Sequence, residues 1–159
     1  MLTVKLICVG TQKESYWRDA TAEYEKRLGA FCRFETVVLK EARLPSEPTE
    51  AEIAKALDEE ADAILAAMPP RSYRIAMCVE GKGMSSERFA EKLEEIEQQS
   101  GTLCLVIGSS YGLSERVKGA CQLRLSVSEM TFPHQLLRVM LLEILYRAFQ
   151  IRRGSRYHK

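Results

Sequence analysis

A chain of 159 residues matches one domain of ordinary size. Folding a chain this long hides about two-thirds of its extended surface, so a core forms without disulfide or metal staples. With 46% hydrophobic and 28% charged residues, the composition excludes disorder, collagen and membrane spans. A net charge of +1 excludes a protein coated in positive charge.

That balance conceals an uneven distribution. The last 13 residues hold Arg147, Arg152, Arg153, Arg156 and Lys159 and no acid, which leaves the rest of the chain with 18 basic against 22 acidic side chains. The acids gather in 47–62 and 91–97. A basic end on an acidic body predicts a localised anion contact such as RNA. Five cysteines (Cys8, Cys32, Cys78, Cys104, Cys121) form no CxxC pair and no zinc-ligand spacing, and three of them sit in apolar runs, where Cys acts as a small hydrophobe. Their odd number and the strand-like start, MLTVKLICVG, predict a reducing cytoplasm rather than secretion.

Taken in order, Val4–Val9 is an apolar run ending at Gly10 and predicts a strand. Residues 16–28 follow a helical pattern, and 34–39 predict a second strand. The stretch EARLPSEP over 41–48 is too short for a domain boundary and predicts a loop. Thr49 is placed to cap a long helix over 50–68 that stops before Pro69-Pro70. Residues 73–79 form another apolar run, ending at Gly81, and Ser85 is placed to cap the next helix. Leu103–Ile107, the most apolar run, ends at Gly108. Ser114 caps a short helix near 115–120, and 123–127 predict a last strand. Continuous apolar runs, rather than strict alternation, mark strands covered on both faces. Strand and helix alternate throughout, predicting an α/β layered domain with a parallel sheet.

The final helix spans about 133–151, with Pro133 in its first turn. Leu137, Met140, Leu141, Ile144, Ala148 and Ile151 fall on one apolar face. Val139, Leu142, Tyr146 and Phe149 recur as a second stripe. One face suffices to pack on a sheet, so the second stripe predicts a partner, an identical subunit across a two-fold axis. Arg138, Glu143 and Arg147 interrupt the run and exclude a transmembrane span.

Three loops carry candidate chemistry. Gly81-Lys82-Gly83-Met84-Ser85-Ser86 follows a strand and precedes a helix, as a dinucleotide-binding turn does, but it lacks the third glycine. Gly108-Ser109-Ser110-Tyr111-Gly112 offers backbone N–H groups at a strand's carboxyl end, where ligands of open α/β sheets gather. Read as a nucleophile elbow, it would make Ser110 a hydrolase nucleophile. His134 and His158, with Glu129 or Glu143 as the acid, meet that order only loosely. The segment 126–135 mixes hydroxyls, Met130, Phe132 and Pro133, suiting a snug site for a flat ring. The tail combines guanidinium groups with Tyr157 and His158, which can grip phosphates, stack on a base or move a proton.

The segments VIGSSYGLS, LSVSEMTFPHQLLRVMLLEILYRAFQI and RGSRYHK closely resemble the ribosomal RNA large subunit methyltransferase H family of SPOUT methyltransferases. VGTQKESYW, AEYEKRL and EGKGMSSERFA extend the resemblance over the whole chain. It implies one SPOUT methyltransferase domain over 1–159, an α/β fold with a parallel-rich sheet whose C-terminal segment is threaded into a deep trefoil knot. It also implies a homodimer joined through the last helix. The reaction implied is methylation of N3 of pseudouridine 1915 in 23S ribosomal RNA of the assembled ribosome, with S-adenosylmethionine as donor and no metal. Methyl-donor contacts carry over to Met77, Gly108, Val127, Ser128, Glu129, Met130, Thr131 and Phe132. Ser109 stands where relatives commonly have a second glycine, Met77 where leucine is usual, and Cys78 where relatives more often carry an acid.

An in-line transfer needs orientation and a proton acceptor for the N3–H. His158 or Tyr157 is expected in the proton-accepting role, with Arg138 or Arg156 as electrostatic support. Two rivals accompany this reading. One is a non-enzymatic ribosome-associated RNA-binding module; the other is a small nucleotide-dependent oxidoreductase using Gly81–Ser86.

Overall fold

A computed structural model describes residues 1–159. Its five strands, β1 (Thr3–Val9), β2 (Arg33–Leu39), β3 (Tyr73–Lys82), β4 (Thr102–Ile107) and β5 (Leu123–Leu125), form one sheet in the order β2-β1-β4-β3-β5. Every pairing is parallel. The helices are α1 (Ser15–Leu28), α2 (Glu50–Ala67), α3 (Ser86–Gln99), α4 (Glu115–Gly119) and α5 (His134–Arg152).

The continuous apolar runs are explained by a helix layer on each face. Val4, Leu6, Cys8, Ile75, Met77, Leu103, Leu105 and Ile107 point to α1, α3 and α5, whereas Ile7, Val9, Ala76, Cys104 and Val106 point to α2 and α4. Local signals set the helix starts. Thr49 and Glu52 close a reciprocal capping box, and the Ser85 and Ser114 hydroxyls accept from the amides of Arg88 and Val117. The alternation that places these elements at the sequence level therefore holds almost residue for residue.

Three expectations change. Gly81 and Lys82 lie inside β3 rather than in a loop, because β3 bulges so that both Met77 and Lys82 face Leu125 of β5. A Cβ at Gly81 would lie 2.7 Å from the Leu125 carbonyl carbon, so the glycine serves strand packing. This removes the dinucleotide-turn reading of Gly81–Ser86 and the oxidoreductase built on it. β5 is also shorter than its pattern, since Ser126 and Val127 leave the sheet to begin the next loop.

The third change concerns α5. Leu142 and Phe149 are buried in the chain's own core, and Phe149 stacks on Phe31 at 5.7 Å. Tyr146 meets Tyr24 and Phe31 edge-on at 6.4 and 5.8 Å. Leu142, Tyr146 and Phe149 of the second stripe are therefore covered by α1 and its following turn, which leaves the half-buried Val139 as the one member outside that cover. The apolar residues left half-exposed on the outer side of α5 are fewer, chiefly Leu136, Val139 and Met140.

The connections position the site. The chain leaves β1 and β3 for helices on one face, and leaves β4 for α4 on the other. The winding thus reverses at β4, where a crevice opens beyond the carboxyl ends of the strands.

Candidate active site

A cavity of about 750 Å³ occupies that crevice, a size typical of pockets for small organic ligands. Its walls come from the end of β3 (Met77–Glu80), the turn after β4 (Gly108–Leu113) and the loop from β5 into α5 (Leu125–His134, without Glu129), with Leu137 behind.

The turn after β4 is shaped by backbone. Gly112 adopts φ +86°, and its amide donates to the Ser109 carbonyl at 2.9 Å. This draws the Gly112 carbonyl so close that a Cβ on Gly108 would lie 2.2 Å from its oxygen. Only glycine fits at Gly108. Ser109 is buried within the turn, where its hydroxyl accepts from the Tyr111 amide at 3.4 Å and lies beside Glu60 of α2. Glu60 accepts from the Ala42 amide at 2.9 Å and is itself buried, and burial pushes its carboxyl above the usual range. Ser110 and Tyr111 sit exposed at the rim, and the Ser110 hydroxyl bonds to neither histidine, so the hydrolase constellation does not form.

The opposite wall folds on its own hydroxyls. Ser126 donates to the Ser128 carbonyl at 2.8 Å, the Ser128 hydroxyl accepts from the Met130 amide at 3.0 Å, and the Ser126 amide donates to Lys82. Met130 is 75% exposed beside the opening. Of the expected donor contacts, Met77, Gly108, Val127, Ser128, Met130, Thr131 and Phe132 all line the cavity. Glu129 belongs to the same loop but is exposed and outside the lining.

Sequence reasoning passed over Glu80 and Lys118, which also line the cavity. They form an ion pair across it, and the Lys118 ammonium holds the Glu80 carboxyl below its usual range. Nothing in the local pattern singles them out, because only the sheet order brings α4 beside the end of β3. Cys78 also lines the cavity, and burial pushes its thiol up, away from the reactive thiolate.

The residues expected to carry proton transfer and charge are elsewhere. Tyr157 donates to Glu143 Oε2 at 2.8 Å, and Arg147 lies 4.8 Å over the Tyr157 ring while also holding Glu143 at 2.7 Å. Burial and the Glu143 carboxylate push the Tyr157 phenol up. His158 accepts from Arg147 at Nδ1 (3.3 Å) and faces Glu87 Oε1 across 2.7 Å at Nε2. Both ring nitrogens are thus engaged, and a guanidinium can only donate, so the neutral ring carries its proton on Nε2. Arg156 is exposed and free of ion pairs.

Glu143 lies nine residues along α5 from His134, about 14 Å of helix rise. None of Tyr157, His158 and Arg156 lines the cavity of the same chain. Arg138 is buried one turn into α5 and lines a separate small crevice beside the cavity.

Comparison with known proteins agrees with this geometry. A family model described as a predicted SPOUT methyltransferase matches residues 2–158. The chain is 45% identical over 159 residues to a protein of Streptococcus thermophilus (strain CNRZ 1066) named ribosomal RNA large subunit methyltransferase H, covering 99% of this chain and 100% of that one. Proteins of the same name from Streptococcus equi subsp. zooepidemicus (strain MGCS10565) and Streptococcus pneumoniae (strain CGSP14) are 41% and 40% identical over the same shares. Among solved structures, a probable methylase family protein from Haemophilus influenzae Rd KW20 superposes with a TM-score of 0.58 at 17% identity. That match covers 100% of this chain and 72% of the other, and it speaks to fold alone.

Proposed function

We propose that this chain is a working enzyme of the family to which it belongs, the SPOUT methyltransferases of the ribosomal RNA large subunit methyltransferase H type. It acts as one domain over residues 1–159 in the cytoplasm, and it methylates N3 of pseudouridine 1915 in 23S ribosomal RNA with S-adenosylmethionine as donor. The observation that carries this reading is the backbone-walled cavity at β4. A Cβ on Gly108 would collide with the Gly112 carbonyl that shapes the turn, and the turn leaves about 750 Å³ between Met77 and Phe132.

The residues present fit such a donor. The apolar walls of Met77, Leu113, Val127 and Leu137 suit an adenine ring, and the backbone and hydroxyls of the 108–112 and 126–132 loops offer polar atoms for its edges. When bound, the donor supplies a methyl on a sulfonium sulfur, whose C–S bond breaks as the bond to the acceptor nitrogen forms. The chain's part is orientation, which in well-aligned systems supplies about 7–11 kcal/mol, and exclusion of water under Met130 and Phe132. The acceptor nitrogen loses its proton as it gains the methyl. His158 takes that proton, or Tyr157 takes it while passing its own hydroxyl proton to Glu143, and Arg156 faces RNA phosphate.

Because Tyr157 and His158 follow α5 and are held at Glu143 and Glu87, outside the lining of their own chain's cavity, the reading requires a homodimer in which the tail of a second copy reaches this cavity. The half-exposed Leu136, Val139 and Met140 of α5 supply an apolar contact for it. A trefoil knot is part of the same proposal. After β5 at the sheet edge, the chain turns back past Lys82 and crosses to lay α5 between α1 and α3, a path suited to threading.

Incubating ribosomes with labelled donor tests the reaction: label at one pseudouridine is expected. Calorimetry with S-adenosylmethionine tests the cavity. Absence of binding would leave the non-enzymatic ribosome-associated module as the better account.

A further inference from the structure

Arg138 carries a feature that donor binding and proton transfer do not use. Its residue is 8% exposed, its Nε is buried with no hydrogen-bond partner, and it enters no ion pair. A buried guanidinium N–H without an acceptor is costly, since it has lost its hydration and gained no partner. It lines a crevice of about 10 Å³ with Cys8, Gly10, Gln12, His134 and Gln135, room for one oxygen-sized atom. Two further observations meet there. Pro133 gives α5 no side-chain cap, so the amides of His134, Gln135 and Leu136 point out of the helix start without intrahelical partners. Gln135 Oε1 is also buried and unpartnered, and a half-turn of that amide presents its NH₂ to an incoming acceptor instead.

We infer that Arg138, Gln135 and the first turn of α5 form an oxyanion-binding subsite beside the cavity, which accepts one oxygen of a carboxylate or a phosphodiester. The guanidinium and the helix start both favour negative charge, and both are held before any ligand arrives. Gln12 fixes the wall by accepting from the Thr21 hydroxyl at 2.9 Å and donating to the Gln135 carbonyl at 3.3 Å. Two acids lie near. Glu41, whose Oε2 is 3.4 Å from where a Cβ on Gly10 would sit, is exposed and screened by solvent. The half-buried Glu25, which acts with Arg138 on the Cys8 thiol, already accepts from the Thr36 hydroxyl at 2.8 Å. Two anions of the proposed reaction have the required chemistry. One is the carboxylate of the donor's amino-acid end, since the crevice and cavity share Ile107 and His134; the other is an RNA phosphate beside the target base.

The subsite rests on the donor reading of the cavity, and the experiment separates the two. Calorimetry on the full chain compares S-adenosylhomocysteine with 5′-methylthioadenosine, which keeps the adenosine and thioether but lacks the amino acid. Failure of both to bind wild type overturns the donor reading. If the carboxylate occupies the subsite, Arg138→Gln weakens S-adenosylhomocysteine at least ~10-fold and leaves 5′-methylthioadenosine unchanged, which also shows that the variant is folded. Arg138→Lys recovers part of the loss. If the phosphate occupies it, both nucleosides bind Arg138→Gln as they bind wild type. Binding to the large ribosomal subunit then weakens, and its log–log salt slope falls by about one unit. Unchanged affinity for both nucleosides and an unchanged salt slope would overturn the subsite.

Discussion

At the carboxyl end of β4 the cavity is walled by backbone and apolar side chains, whereas the chain's last residues are held by charges. In the cavity the decisive contact is the Gly112 carbonyl against Gly108, and the one ion pair is Glu80 with Lys118. In the tail, Glu143, Arg147, Tyr157, His158 and Glu87 form one connected network, and Arg152 is tied to Glu97. The difference teaches where each region is vulnerable. A backbone-built pocket is indifferent to salt and to most side-chain exchanges but fails at a single glycine. A charge-built tail tolerates small shape changes but responds to ionic strength and to the loss of one carboxylate.

The sharpest way to break the comparison is Gly108→Ala. The added methyl collides with a carbonyl that β4 and the Gly112 turn hold in place, so the turn must move. Donor affinity is expected to fall on the order of 100-fold, while thermal stability drops modestly. Calorimetry beside a melting curve checks both, and near-normal donor binding would show that backbone does not set the pocket.

Salt gives the next largest effect and should divide the regions cleanly. Arg147 and Arg152 are already paired within the chain, leaving Arg153, Arg156 and Lys159 free of ion pairs. Three phosphate contacts imply a log–log slope between about −2.1 and about −2.7. Binding to the large ribosomal subunit is then expected to weaken ~20- to ~40-fold between 50 and 200 mM salt. Donor affinity measured over the same range should hardly change.

Glu143→Gln sharpens the comparison within the tail. It removes the charge that Arg147 and the Tyr157 hydroxyl share, and it leaves the cavity lining intact. Single-turnover methyl transfer is expected to slow about tenfold, the worth of one charge-assisted hydrogen bond, with donor affinity unchanged. A fall in donor affinity instead would place the network's influence inside the cavity.

The same contrast governs what was legible beforehand. Strand positions, helix starts and the glycine-ended loops announce themselves locally, because apolar runs, Ser and Thr caps and Gly108 each act within a few residues. The turn at Gly108 and the 126–135 loop are legible for that reason, whereas Met77 and the single contacts within 127–132 rest on the family resemblance. Long-range pairs had no such signal. Lys118 reaches Glu80 only through the sheet order, and Gly81 looks like a loop glycine until β5 is laid against it. The second stripe on α5 was correctly seen as needing cover, but periodicity does not say whose surface provides it; Tyr24 and Phe31 of the same chain do.

The smallest expected effect tests the junction of the cavity turn with α2, where a buried carboxyl stands behind a backbone-built loop. Burial raises the Glu60 carboxyl above its value in the unfolded chain. A raised acid binds its proton more tightly when folded. The stability it contributes is full below the unfolded value, near 4.3, and is lost as pH rises through the folded value. Glu60→Gln keeps an acceptor for the Ala42 amide and has no charge to bury. The variant should melt within error of wild type at pH 4 and on the order of 2 °C above it at pH 7, with the gap opening as pH rises. A gap of the opposite sign at pH 7 would mean that the carboxylate is favoured in the fold, and that the Ser109 and Ala42 donors outweigh desolvation behind the cavity turn.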